Sequence, residues 1–171
     1  MARSGLEDIS NIKDPLLTYN FGLIIPNIPG GGNGLQLTLR CQSTVIPGMN
    51  IEPALLGLRG MELQYAGRHT YSHTLPVTYV EARDMITRQS MLRWMYFARD
   101  FRNNQGNFKA EYSTSADIEL YDDKGTVIRT IRLFGVFPLG VDDLGLESSG
   151  STIAAFSCNL SYDYFRDIED L

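Results

Sequence analysis

The stretch Phe156-Ser157-Cys158-Asn159-Leu160-Ser161-Tyr162-Asp163-Tyr164-Phe165 alternates between apolar and polar side chains. Successive side chains of an extended chain point to opposite faces, so the alternation predicts a strand with one buried face, running from Thr152 to Phe165. The polar face carries serine, asparagine and aspartate but none of the lysine and glutamate usual on the exposed face of a soluble monomer. Two explanations stay open: the face contacts another molecule, or its residue types simply favour strands.

The same period of two recurs in Tyr19–Ile25, in Leu35–Val45, and from Arg68 to about Val80. Between the first two, residues 27–34 are rich in Pro and Gly, which predicts a turn and hence a hairpin. A second hairpin is predicted from residues 117–121 into residues 127–137, because Gly125 in the intervening turn can adopt a positive φ.

One segment has a different period. From Asp84 to Arg102, apolar residues recur with the spacing of an amphipathic helix, and Asp84 is a candidate N-cap. The side chains expected to pack this helix on the barrel are Met91, Trp94, Met95, Ala98 and Phe101. No helix separates successive strands elsewhere, so the order predicts a mainly β-fold: an antiparallel β-barrel or sandwich with one flanking α-helix.

The chain has 171 residues, of which 43% are hydrophobic and 20% are charged. This composition excludes a disordered chain and predicts one main domain, residues 15–166, between a leader at residues 1–14 and an acidic tail at residues 167–171. The longest aliphatic run is far shorter than the roughly 20 apolar residues of a membrane span, and the first residues lack the apolar segment of a signal peptide. We therefore expect no membrane partner, and the two cysteines predict no disulfide framework.

The formal net charge is -5, and from Asp142 to the end seven acidic residues face one basic residue, Arg166. This balance argues against nucleic-acid recognition, which requires cations to neutralise phosphates. Only three of the 15 basic residues are lysine, and arginine is preferred in interfaces between proteins.

The segment from Val45 to Met61 is predicted to be a loop because it contains two prolines, Pro47 and Pro53, and three glycines, which break regular structure. It also carries an apolar set that would form an exposed patch in water: Met49, Ile51, Leu55, Leu56 and Leu58. Either the loop folds back on its own core or another subunit covers it, and the residues leave both alternatives open.

No residue pattern indicates catalysis, a cofactor or a metal. The run Gly30–Gly34 lacks the Lys-Ser/Thr of a phosphate-binding loop, and His69 and His73 lie about 13 Å apart along a strand, too far to share one zinc. Cys41 and Cys158 each fall on an apolar strand face, as expected for small buried side chains rather than nucleophiles. We predict a protein that is not an enzyme and has no cofactor.

Three blocks, in their order and spacing, resemble the major tail tube proteins of contractile-tailed bacteriophages. The blocks are Leu39–Gly48, Gly67–Thr78 leading through Glu81–Asp84 into the helix that bears Trp94, and Phe134–Val141 with the closing strand Phe156–Phe165. The resemblance spans residues 19–165, and the Gly30–Gly34 loop and the leader depart from the family pattern.

The resemblance implies a barrel-like subunit that forms stacked hexameric rings, the inner tube of the tail in a virion, made in the host cytoplasm. It implies that the loop from Pro47 to Met61, including Arg59, contacts the neighbouring ring. The implied partners are further copies of the chain, the tail sheath protein, baseplate and tail terminator proteins, and genomic DNA that passes through the lumen without specific binding. The alternatives are a tube initiator or terminator at the baseplate or tail end, the tube of a related contractile injection system, or a monomeric barrel that binds a small ligand.

Overall fold

A computed structural model of the chain describes residues 15–168; the predicted leader and the last three residues of the predicted acidic tail lie outside them. The strands are β1 (Phe21–Ile24), β2 (Cys41–Ser43), β3 (Met49–Leu58), β4 (Met61–Tyr71), β5 (Thr74–Val80), β6 (Thr114–Tyr121), β7 (Val127–Val141), β8 (Ala155–Ser161) and β9 (Tyr164–Asp167). The helices are α1 (Gly34–Arg40), α2 (Ile86–Ala98) and α3 (Lys109–Tyr112). Within the described residues no helix is long and apolar enough to cross a membrane.

Seven strands form one antiparallel sheet in the order β1-β6-β7-β8-β5-β2, and β9 pairs with β7. The sheet curls into a nearly closed barrel, which confirms the predicted mainly β, antiparallel fold with a flanking helix. The long strand β7 pairs with β6 and β9 through its first half and with β8 through its second. It changes partners at Gly135, where φ is +69° and an added Cβ would collide with the side chain of Asp163.

The barrel interior is filled by the apolar faces that the alternation predicts. Leu75, Val77 and Tyr79 of β5 are buried, as are the three apolar residues of β8, including Cys158. The indole of Trp94 enters the same core and its Nε1 donates a hydrogen bond of 2.6 Å to the carbonyl of Tyr112. An interior filled by these rings argues against a barrel that encloses a small ligand.

Helix α2 is shorter than predicted. Met91 and Trp94 are buried and Met95 and Ala98 are half-buried, but the helix ends at Ala98. The expected packing of Phe101 is wrong: it lies beyond the helix, is 68% exposed, and its ring contacts Tyr96 instead.

The predicted N-cap of α2 is also displaced. Met85, in the left-handed region at φ +54°, occupies the N-cap position. The Asp84 carboxylate still accepts a hydrogen bond of 3.2 Å from the amide of Ile86, so it satisfies one of the free N–H groups at this helix end.

The strand predicted at Leu35–Val45 is wrong over its first half, which forms α1. Asn33 caps this helix by accepting a hydrogen bond from the amide of Gln36, and only Leu37 of the helix is buried. At Gly34 an added Cβ would collide with the carbonyl of Ile25, so the tight entry requires glycine. The predicted first hairpin is wrong as well, because β1 pairs with β6 and β2 pairs with β5.

Two long predicted strands are each interrupted by a corner. The strand predicted from Arg68 to about Val80 is interrupted between Tyr71 and Thr74, where His73 has φ +55°. The strand predicted from Thr152 to Phe165 is interrupted after Ser161, and the chain turns there so that β9 pairs with β7. The hairpin of β6 and β7 is confirmed, with Gly125 at φ +80° in its turn.

A partly buried ion-pair network holds α1 against the start of α2. The Arg40 guanidinium donates to Glu81 at 3.3 Å and to both oxygens of Asp84 at 3.0 Å, which holds the pKa of Asp84 below its usual range. The Glu81 side chain is almost fully buried and also accepts hydrogen bonds from the amides of Ala82 and Arg88. The network fixes the end of the barrel at which the chain leaves the sheet after β5.

The Tyr79 hydroxyl is buried and has no hydrogen-bond partner within the described residues, and burial raises its pKa well above the usual value. We therefore expect Tyr79→Phe to leave the free energy of unfolding unchanged or to raise it by about 1 kcal/mol, because a desolvated hydroxyl is removed. Trp94→Phe, which loses a hydrogen bond and leaves a cavity, should lower it by roughly 2 kcal/mol. Urea unfolding followed by circular dichroism measures both, and a loss above about 1 kcal/mol for Tyr79→Phe would contradict the assignment.

Candidate assembly surface

The segment predicted as a loop from Val45 to Met61 is mainly a strand. β3 pairs with β4 along its whole length as a separate two-stranded sheet, which we call the arm (Met49–Tyr71). Arg59 and Gly60 form its two-residue turn with φ of +49° and +80°, the conformation of a type I′ turn that matches the twist of the two strands. The loop prediction fails because Pro53 and Gly57, which suggest a break, are accommodated inside β3.

Every residue of β3, and all of β4 up to His69, is exposed. The five apolar residues predicted to need a cover, Met49, Ile51, Leu55, Leu56 and Leu58, are 42% to 58% exposed. The alternative in which this segment folds back on its own core is therefore wrong. Arg59 lies at the tip of the arm and is exposed too, about 33 Å from the barrel if β3 rises 3.3 Å per residue over its length.

The register divides the apolar side chains between the two faces of the arm. Residues directly opposite in an antiparallel pair share a face, and Leu56 is paired with Leu63, Leu58 with Met61, and Ala54 with Tyr65. Met49, Ile51 and Leu55 point to the other face. Met61, Leu63 and Tyr65 were not predicted as part of the apolar set, although their i, i+2 spacing identifies them as one strand face.

A bulge bends the arm near its middle. Between the pairs Ile51 with His69 and Pro53 with Ala66, β4 has one residue more than β3. Gly67 lies in the bulge, where an added Cβ would collide with the carbonyl of Glu52. Next to Gly67, Arg68 Nε donates a hydrogen bond of 2.6 Å to the Glu52 carboxylate on the opposite strand.

Aromatic and polar contacts fix the arm to the barrel. Tyr71 packs edge-on against His73 and Phe165, and the Ser72 hydroxyl lies 2.9 Å from the hydroxyl of Tyr162. His73 Nδ1 lies 3.0 Å from the carbonyl of Tyr162. Its role in the structure is thus to shape the corner at the root of the arm, whereas His69 lies on β4.

The two cysteines are placed in the barrel wall. Cys158 is buried on β8, Cys41 is half-buried on β2, and both are free thiols. Burial raises the pKa of each thiol to about 12, so both are protonated and poorly nucleophilic at neutral pH.

The fold is similar to that of chains in solved contractile injection systems. A chain of the PVC sheath/tube terminator, in the extended state of that extracellular contractile injection system, superimposes with a TM-score of 0.69 at 14% identity over 91% of this chain and 98% of that one. A chain of the PVC sheath-tube complex superimposes with a TM-score of 0.66 at 13% identity, over 96% of this chain and 98% of that one. A chain of the tube-terminating cap of the anti-feeding prophage superimposes with a TM-score of 0.68 at 15% identity, over 91% of this chain and 92% of that one.

Sequence comparison gives the family. A family model described as phage tail tube protein matches residues 23–167. A tail tube protein of Serratia phage KSP90 is 25% identical over 137 residues, which cover 79% of this chain and 76% of that protein. The chain belongs to the phage tail tube protein family, as the resemblance in its three sequence blocks predicts.

The bulge glycine gives a test of the arm. We expect Gly67→Ala to speed hydrogen exchange of the arm amides by roughly tenfold while barrel amides are unchanged, since the added Cβ displaces Glu52. Gly57→Ala is the matched control, because Gly57 lies in the same hairpin with open space around it. Equal exchange in the two variants would show that the bulge does not depend on glycine.

The thiols give a second test. We expect iodoacetamide to modify neither Cys41 nor Cys158 at pH 8 in the folded protein, because pKa values of about 12 leave almost no thiolate below that pH. Both thiols should be modified after unfolding in guanidinium, where their pKa returns to about 8.5. Intact mass spectrometry counts the adducts, and rapid native modification of Cys158 would refute its burial.

Proposed function

We propose that the chain is a structural subunit, not an enzyme, that assembles as hexameric rings stacked into the inner tube of a contractile phage tail. The observation that carries the proposal is the arm, an exposed structure with apolar side chains on both faces. Exposed apolar surface on this scale marks a surface that another protein covers. Membership of the tail tube family supports a further copy of the chain as that protein.

The barrel edges support assembly within a ring. Among the described residues β1 pairs only with β6 and β2 pairs only with β5, so each strand has one side without a partner strand. An unpaired strand edge is a template for pairing with another chain. Side-by-side subunits in a ring would satisfy these edges.

The charge of the chain fits a passage for DNA. Each lysine or arginine that binds phosphate adds affinity, so a conduit that is to release its cargo has reason to carry a net negative charge. The formal charge of -5 is consistent with genomic DNA that crosses the lumen without specific binding. The tube would lie within the virion, inside the tail sheath and between baseplate and terminator proteins, after synthesis in the host cytoplasm.

The purified chain, alone or nucleated by baseplates, should form hollow six-fold tubes in negative-stain electron micrographs. A protein that stays monomeric under all assembly conditions would refute the proposal. Terminators share this fold, so copy number per virion separates the two positions: a main tube subunit is present in many rings, an initiator or terminator in one.

Charges on the arm should block stacking. We expect Leu55→Asp and Leu58→Asp, on opposite faces, to remain folded but to raise the critical concentration for tube growth by more than about tenfold, because the new carboxylate is desolvated in the contact. Leu35→Asp, on the exposed side of α1, is the matched control and should stay within about threefold of the unmodified chain. Pelleting assays measure the concentration, and circular dichroism checks folding. Normal tubes from both arm variants would refute the role of the arm.

A further inference from the structure

Stacked rings place a geometric condition on the surface that receives the arm. A head-to-tail contact joins two different patches of the same chain, and repetition of that contact builds a filament. The arm leaves the barrel where β5 begins, because β4 leads into Thr74, which pairs with Ser161 of β8. In a straight stack the receiving patch lies at the opposite end of these strands, where Val80 pairs with Ala155.

The loop of residues 142–154 occupies that opposite end. It connects β7 to β8, and the carbonyl of Ala154 accepts a hydrogen bond of 2.8 Å from the amide of Glu81, just after β5. Leu146 and Ile153 are 87% and 80% exposed and line a shallow groove together with Glu147. The groove therefore combines apolar side chains with a carboxylate.

Charge complements this shape. The loop carries Asp142, Asp143 and Glu147 and no basic residue. Arg59 at the tip of the arm is exposed, and no described residue forms an ion pair with it. Next to Arg59, the side chains of Leu58 and Met61 are exposed and share one face.

Two other grooves fit the arm less well. The groove between α2 and β7 contains Arg99, which would repel Arg59, and it borders Phe137, which pairs with Ser161 at the end from which the arm itself leaves. The groove beside the turn of β6 and β7 has Asp122 and Asp123 on its rim, but Lys124 and Arg129 also line it and would repel Arg59.

We propose that the tip of the arm docks on the loop of residues 142–154 of a second copy in the adjacent ring, with Leu58 and Met61 against Leu146 and Ile153 and with Arg59 against Glu147. The proposal rests on the function proposed above and names the partner surface within it. The contact would bury apolar area on both copies. It would also pair Arg59 with the acidic residues of the loop, of which Glu147 accepts a hydrogen bond of 2.6 Å from the Ser149 hydroxyl, and this ion pair would fix the register between rings.

A charge exchange tests the contact. Arg59→Glu alone should raise the critical concentration for tube growth by about tenfold or more, because it brings a fourth carboxylate to the three acidic residues of the loop. Glu147→Arg alone should raise this concentration severalfold. The double variant should return to within about threefold of the unmodified chain. Arg68→Glu is the control, because Arg68 is paired with Glu52 within the arm. Adding Glu147→Arg to this variant should not restore tube growth.

The outcomes are distinct. Failure of the unmodified chain to form tubes would refute the proposed function, and the docking proposal would fall with it. Tubes from the unmodified chain without rescue in the double variant would overturn the docking site alone. If a charge reversal prevents folding, cysteines at positions 59 and 147 decide the question: disulfide-linked chains many subunits long in oxidised tubes support the contact, and isolated monomers or closed ring-sized products overturn it.

Discussion

A two-stranded sheet has no interior, so each side chain of the arm faces water until another molecule covers it. Nine of the 23 residues of the arm are leucine, isoleucine, methionine or tyrosine. Their transfer out of water favours association by about 25 cal/mol for each Å² of apolar surface that is covered. The subunit therefore buries a core within its barrel, and the proposed assembly would complete the burial of its arm.

The barrel serves as a rigid base for this arm. Its core is closed by Trp94 and Tyr79, and the ion-pair network of Arg40, Glu81 and Asp84 fixes the end where β5 leaves the sheet. At the opposite end the contacts of Tyr71 with His73 and Phe165 hold the root of the arm. The direction of the arm is thus set by contacts at its root, although residues 49–69 of the arm are exposed in the monomer.

The period of two was a good guide where one face of a strand meets the core and a poor one elsewhere. In β5 and β8 each apolar residue of the alternation is buried, so the pattern and the structure agree. Leu35, Leu37 and Leu39 alternate equally well but form a helix, because the Asn33 cap and the tight approach of Gly34 to Ile25 are tertiary features that periodicity does not contain. The arm was missed because glycine and proline usually end a strand. The number of its apolar residues showed that they need a cover, but it did not decide between the chain's own core and another subunit.

The edges of the arm explain how so exposed a hairpin avoids indiscriminate growth. Pro53 offers no N–H group to a third strand, and the bulge at Gly67 disturbs the spacing of the groups on the other edge. A cross-β stack of many arms requires long, regular edges, which these two interruptions remove. The two interruptions therefore disfavour amyloid-like pairing through the edges of the arm, while its apolar side chains stay exposed.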